Sequence, residues 1–459
     1  MATSEKQSAG DIAASFADIV GLGNVQTLDL AEPHLKTQIA NSTMGVENLA
    51  IVSPKTQTEL ASAIALANQQ QWGVLPYGNA SKLTWGGLVR GANVAISTAG
   101  CDRLIEHCVG DLTVTVEAGM KFADLQKILA QEGQYCAIDP AYPNAATIGG
   151  IVATANTGSL RQRYGGLRDM CLGISFVRSD GELVKAGGRV VKNVAGYDLM
   201  KLLTGAYGTL GVISQLTFRL YPLPEAKQTV LLTGKADAIA ELRNKILSST
   251  LTPTVLDLLS SSLLKELGFG QDTGKEIGLV ARFETLKVSV IEQSDRLVEL
   301  GKSLHLKAEV LSEAENFWQR LEDLVWQPSP QSSLAGNSKL IVKLGVLPSK
   351  VVNILVELEA IARTLSESIP QPYVQIHGAG GLGTLRFDLA GGFDPQDLLL
   401  KIRHLANDTG GFLTILEAPP ALKQNLDVWG YTGNAIGIMQ RIKQQFDPHH
   451  LLSPHRLFI

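Results

Sequence analysis

The chain has 459 residues, with 40 Lys plus Arg against 44 Asp plus Glu and a formal charge of −4. That length allows about two or three domains, and the near balance of charge argues against a general nucleic-acid or acidic-lipid binder. Hydrophobic residues make up 45%, and 45 glycines stand against 6% aromatics, so many backbone positions need conformations or close approaches that a side chain would forbid.

Residues 1–46 read as a leader with little committed structure. From there Ala50–Val52 reads as a short strand and Thr58–Gln70 as a helix with Leu60, Ile64 and Ala67 on one face. Val74–Pro76 is a strand that runs into a glycine-rich turn, Gly78 to Gly87. Leu112–Val116 alternates as a strand, and Phe122, Leu125, Ile128 and Leu129 form the stripe of a helix that Gly133 can end. Short β-rich runs follow at Leu172–Val177, Glu182–Lys185 and Gly211–Leu220. Tyr221-Pro222-Leu223-Pro224 breaks the pattern and marks a boundary, so the expected domains are 47–223 and 224–459. In the second, strands Val230–Thr233 and Ile277–Phe283 alternate with helices Val288–Leu304 and Val351–Glu367, and Pro328–Ser338 is a loop. The fold class is α+β, with an antiparallel sheet and helices in a smaller second domain.

The four cysteines, Cys101, Cys108, Cys136 and Cys171, contain no C-x-x-C pair, which speaks against a self-contained zinc or iron–sulfur site. The N-terminus lacks the apolar core of a secretory signal, and no uncharged apolar run of about eighteen residues follows. The expectation is a cytoplasmic chain with at most peripheral membrane contact and no bound metal.

Three segments carry candidate chemistry. The first is Pro76, Tyr77, Gly78, Asn79, Ala80, Ser81, Lys82 and Leu83, a strand end entering a loop of small and amide-bearing residues. Such a loop either turns backbone N–H groups inward as an anion-binding nest or is an ordinary tight turn. The second runs from Asp139 and Pro140 through Thr147, Ile148, Gly149 and Gly150 to Ala153, Thr154 and Gly158. Its small residues let backbone lie against a flat ligand, and a close strand crossing explains them equally well. The third runs from Val190 to Leu199 and on through Gly208, Gly211, Val212 and Ile213.

In this order the segments resemble the FAD-binding domain of the vanillyl-alcohol oxidase superfamily, the PCMH-type flavin fold. In that family the loop after the Pro holds the pyrophosphate, Thr147-Ile148-Gly149-Gly150 matches the stretch that lines the flavin, and Gly208 to Ile213 matches the stretch on the adenosine side. Gly165 is carried over as a further flavin-binding glycine. Within the superfamily, Val190–Leu199, Arg282-Phe283-Glu284, Lys343 to Ser349 and Phe446-Asp447-Pro448 look most like the FAD-binding E subunits of glycolate oxidases.

The resemblance implies a two-subdomain FAD-binding domain followed by an antiparallel α+β cap, with the C-terminal tail returning towards the flavin. It implies a glycolate oxidase-like complex acting on a small 2-hydroxy acid, with a catalytic flavoprotein subunit and an iron–sulfur subunit as partners. Relatives that bond FAD covalently carry a His in the first loop, and this chain has none there, so FAD is expected to be dissociable. Catalytic relatives carry an H-A-G-D-G-N-x-H segment. Its nearest counterpart here, His377-Gly378-Ala379-Gly380-Gly381-Leu382-Gly383-Thr384, has lost the second His and the acid, which removes the metal site. His377 is then either a lone base with Arg386 as a carboxylate clamp, or a structural histidine. Arg161 and Arg163 either reach FAD phosphates or are solvated.

Overall fold

The computed structural model describes residues 7–46, 49–189, 196–270, 276–327, 338–365, 371–389, 393–431 and 433–457. The expected segment Val190 to Ala195 and the expected loop 328–337 lie outside the described residues. The chain forms two compact units, one of Met1–Gly158, Gly165–Leu223 and Thr432–Ile459, the other of Ser159–Tyr164 and Pro224–Tyr431.

In the first unit a four-stranded sheet runs in the order Val25–Thr27, Ala50–Val52, Ala92–Ser97, Gly73–Tyr77, parallel except for its first pair. A five-stranded antiparallel sheet runs Leu183–Gly187, Cys171–Val177, Val212–Arg219, Thr113–Glu117, Leu104–Cys108. Residues 7–46 are not an uncommitted leader. Ser8 and Asp11 close a capping box over the helix Ala9–Val20, and Ile12, Phe16 and Val20 pack with Val52, Leu60 and Ile64 in one apolar cluster. The S-x-x-D spacing just ahead of an apolar periodic run was a visible helix start.

The second unit is an eight-stranded sheet, antiparallel throughout. Its order is Lys307–Val310, Ala226–Gly234, Ile277–Thr285, Val255–Leu259, Tyr373–His377, Leu382–Leu389, Ser338–Gly345, Phe412–Glu417. One face buries Leu256, Leu258, Val374, Ile376, Leu385 and Val342 against the helices Ala236–Leu247, Lys287–Ser303, Val351–Leu365 and Gln396–Asp408. Because side chains alternate across a strand, the residues between them, Asp257, Gln375, His377, Thr384 and Lys343, share the opposite face. There the helices Ser261–Leu267 and Ala314–Trp326 cover Leu231, Leu259 and Val280 and leave the polar stretch to itself. Among the described residues no helix is long and apolar enough to cross a membrane.

Candidate functional site

In the first unit the strand Gly73–Tyr77 delivers the chain into a cleft. Pro76 to Leu83, Thr147, Gly149, Gly150, Ala153, Thr154, Gly208, Gly211, Val212 and Ile213 all line it, so three segments far apart in sequence meet at one concavity. Two glycines make the approach possible. A Cβ on Gly78 would stand 2.1 Å from Thr147 Oγ1, and one on Gly149 would stand 2.7 Å from the Ala118 Cβ. Thr147 caps the helix Ile148–Ala153, its hydroxyl accepting from the Gly150 N–H at 3.3 Å. The first loop and that helix therefore touch backbone to side chain, as a narrow cradle requires.

Five sequence-predicted residues do not line the cleft. Ile148 is 1% exposed and belongs to the core, Pro140 is buried, and Asp139 Oδ1 accepts the Gly158 N–H at 3.1 Å. Gly165 sits at φ +78° against Asp169. The contacts of these residues are with the chain itself, away from the lining of this cleft.

Thr98, Tyr207 and Arg456 line the cleft without having been singled out. Arg456 is 4% exposed and donates to Leu83 O at 2.5 Å and Trp85 O at 2.8 Å, with its guanidinium 5.8 Å from the Tyr207 ring centre. Burial pushes Arg456 down to about 10, with the Tyr207 phenol acting the other way, and pushes the Tyr207 phenol up to about 12. The sequence signal for Arg456 was faint: an Arg in a tail already expected to return towards this site. Lys82 is 6% exposed, donates to Ala141 O at 3.3 Å and lies 5.9 Å from the Trp85 ring centre; burial pushes it down to about 7. A cradle of close backbone, an apolar floor and buried cations fits FAD, whose long body carries two phosphates and a flat ring. Arg161 and Arg163 do not line this cleft. Cys136 and Cys171 are buried free thiols that burial holds far from the thiolate form.

The second unit places His377 at the end of the strand Tyr373–His377, in register with Asp257. Asp257 is fully buried and accepts from His377 Nδ1 at 2.7 Å, from Gln375 Nε2 at 2.8 Å and from Ser159 Oγ. Arg243 Nε donates to Gly378 O at 2.6 Å and fixes the turn that follows His377. On the same sheet face Thr384 pairs with both Gln375 and Lys343. Lys343 is lowered from its ordinary range by burial and by the Arg161 charge, and among the described residues neither cation has a carboxylate partner.

Arg386 is not part of this group. It lies opposite Tyr373 in the ladder, four positions back from His377, and is 1% exposed. Its guanidinium is used up by Asp388 Oδ1 at 2.8 and 3.0 Å, by Leu324 O at 2.8 Å and by Gln327 O. The expected carboxylate clamp is therefore a structural cation. Arg386→Leu should destabilise the fold by roughly 3–5 kcal/mol, because a buried charge and two carbonyls lose their partner. Urea unfolding measures this, and unchanged stability with weakened substrate binding would restore the clamp.

Residues 49–187 match the family described as the FAD binding domain. The chain is 25% identical over 429 residues to the glycolate oxidase subunit GlcD of Bacillus subtilis (strain 168), covering 89% of this chain and 88% of that protein. It is 33% identical over 201 residues to a mitochondrial D-lactate dehydrogenase [cytochrome] of Arabidopsis thaliana, a match that spans 43% of this chain and 35% of that protein. The solved structure of p-cresol methylhydroxylase with substrate bound superposes with a TM-score of 0.74 at 15% identity, over 97% of this chain and 96% of that one. With the glycine cradle and its buried cations, these matches give residues 49–187 an FAD-binding domain, make FAD the cofactor of an FAD-dependent oxidoreductase, and give the chain a fold like that of p-cresol methylhydroxylase.

Proposed function

We propose that this chain is the FAD-binding subunit of a glycolate oxidase-like complex and takes part in oxidising a small 2-hydroxy acid such as glycolate or D-lactate. The observation that carries the reading is the polar face of the second unit, where a buried Asp257 holds His377 and two cations stand without carboxylate partners among the described residues. A 2-hydroxy acid needs that set: a cation for its carboxylate and a base for its hydroxyl.

Lys343 and Arg161 hold the carboxylate. The His377 ring gives its Nδ1 hydrogen to Asp257, which makes Nε2 the basic nitrogen. Nε2 takes the hydroxyl proton as the α-carbon loses hydride, and the Asp257 carboxylate stabilises the imidazolium that results. FAD, when bound, supplies the two-electron acceptor for that hydride. The product is the 2-oxo acid, and the electrons pass on to a partner flavoprotein subunit and an iron–sulfur subunit.

An anaerobic visible spectrum of the FAD-loaded chain, before and after glycolate and then D-lactate, tests this. Bleaching that requires the partner subunits supports the subunit reading. Bleaching by the isolated chain supports a second reading, a self-sufficient dehydrogenase, which the intact Asp257–His377 pair favours. A flavin band that persists with and without partners sinks both. Where bleaching occurs, His377→Ala should slow it by about 10²–10⁴-fold; an unchanged rate in that variant rules His377 out as the base.

A further inference from the structure

Among the described residues, Lys82 is a charge built into the FAD cleft with nothing of opposite sign to meet it. It lines the cleft, is 6% exposed, and makes its polar contact with a neutral carbonyl, Ala141 O at 3.3 Å. Among the described residues it has no carboxylate partner. An ammonium group taken out of water without a counter-charge gives up its proton more readily. FAD brings two negative charges in its pyrophosphate. We propose that Lys82 is the cation this chain sets against the FAD pyrophosphate, and that it enters the pairing by taking up a proton as the cofactor binds. The inference rests on the FAD site and is independent of the substrate reading.

The surroundings isolate this proton. Burial pushes Lys82 down to about 7 before FAD arrives. The other titratable groups lining the cleft are Tyr77 and Tyr207, both pushed up to about 12, and Arg456, lowered to about 10. From the helix side come Thr147, Gly149, Gly150 and Thr154, which do not titrate. Asp139, two residues before Ala141, is turned to the Gly158 amide, and His455, next to Arg456, is exposed. Between about pH 6 and 9, Lys82 is then the cleft-lining group whose charge changes. FAD has no titrating group in that window.

The sign follows. Below pH 7 the amine is already charged and binding needs no proton, so affinity is flat. Above pH 7 the free site is neutral and the bound site is charged. Binding consumes a proton and the dissociation constant rises by about tenfold per pH unit. The same lowered value means that the unfolded chain holds more protons than the apo fold above pH 7, so Lys82 makes apo stability rise with pH while FAD affinity falls.

Calorimetric titration of the apo chain with FAD in buffers of different ionisation enthalpy, from pH 6 to 9, reads both quantities. Wild type should take up about half a proton at pH 7 and about one at pH 8.5. Lys82→Arg stays charged and should bind tightly with neither proton uptake nor pH dependence. Lys82→Met should bind about 30–100-fold more weakly at pH 6, also without uptake. Riboflavin, which lacks the pyrophosphate, should bind without uptake. A wild-type affinity that is flat from pH 7 to 9 overturns the proposal, as does uptake that persists in Lys82→Arg or that riboflavin reproduces. The wild-type and Lys82→Arg arms decide the matter even if Lys82→Met does not fold.

Discussion

Gly78→Ala should purify almost free of flavin. The added methyl would lie 2.1 Å from Thr147 Oγ1, 2.9 Å from its Cγ2 and 3.0 Å from its Cβ. Ordinary contact needs about 3.5–4 Å, so something must move by about 1 Å or more. Thr147 cannot turn away freely, because its hydroxyl caps the helix Ile148–Ala153 and the residue is 2% exposed. The helix cannot retreat either, since Ile148 and Ile151 are each 1% exposed in the core. The loop carrying Asn79, Ser81 and Lys82 is the part that yields, and it yields into the cleft. A shift of that size in groups that hold a ligand should weaken FAD by at least about 100-fold, or ~2.7 kcal/mol.

The ratio of flavin to protein absorbance after gel filtration in FAD-free buffer reads the loss, and a fluorescence titration gives the constant. Pairing Gly78→Ala with Thr147→Gly removes the three atoms nearest the methyl. The double variant should recover part of the affinity beyond what the two single changes predict by addition. Full flavin occupancy in Gly78→Ala would mean that this loop does not hold the cofactor.

That cradle was legible in the sequence because a required absence of side chain shows as glycine and small residues. Strands were legible as short β-rich runs, which placed Cys171–Val177, Val212–Arg219 and Ile277–Thr285 to within two residues. What sequence did not show is what depends on distant segments meeting. Arg456 acquires its role only when the tail comes back to the carbonyls of Leu83 and Trp85. Asp257 meets His377 across 120 positions, yet there was a signal, since a single acid inside Val255-Leu256-Asp257-Leu258-Leu259 is a charge that burial obliges to find partners. Arg386 misled because a conspicuous Arg near a His suggests a clamp. Asp388, two residues on and therefore on the same strand face, was the partner to notice.

Asp447→Ala should cost the first unit roughly 3–5 kcal/mol, a large part of the 5–15 kcal/mol typical of a whole domain. Asp447 is fully buried and accepts from Lys443 Nζ at 2.5 Å, Leu452 N at 2.7 Å and Leu451 N at 3.0 Å. Lys443 is 3% exposed and also donates to Thr209 O at 2.8 Å and Leu452 O at 2.9 Å. Burial lowers the Lys443 pKa while Asp447 opposes that shift, so removing the acid strands a cation and two amides together.

The loss should also reach the cofactor. Leu451 and Ser453 pair with Val74, through Val74 N to Leu451 O at 2.7 Å and Ser453 N to Val74 O at 2.8 Å, beside the strand that feeds the FAD loop. Three residues later Arg456 holds that loop. Urea unfolding and an FAD titration on the same samples separate the two effects. Lys443→Met with Asp447→Leu, an apolar pair of similar bulk, should regain most of the stability. If it regains the FAD affinity as well, the ion pair acts by holding the tail in place. If stability returns and affinity does not, the paired tail alone is insufficient, and the orientation of Arg456 is what Asp447 secures.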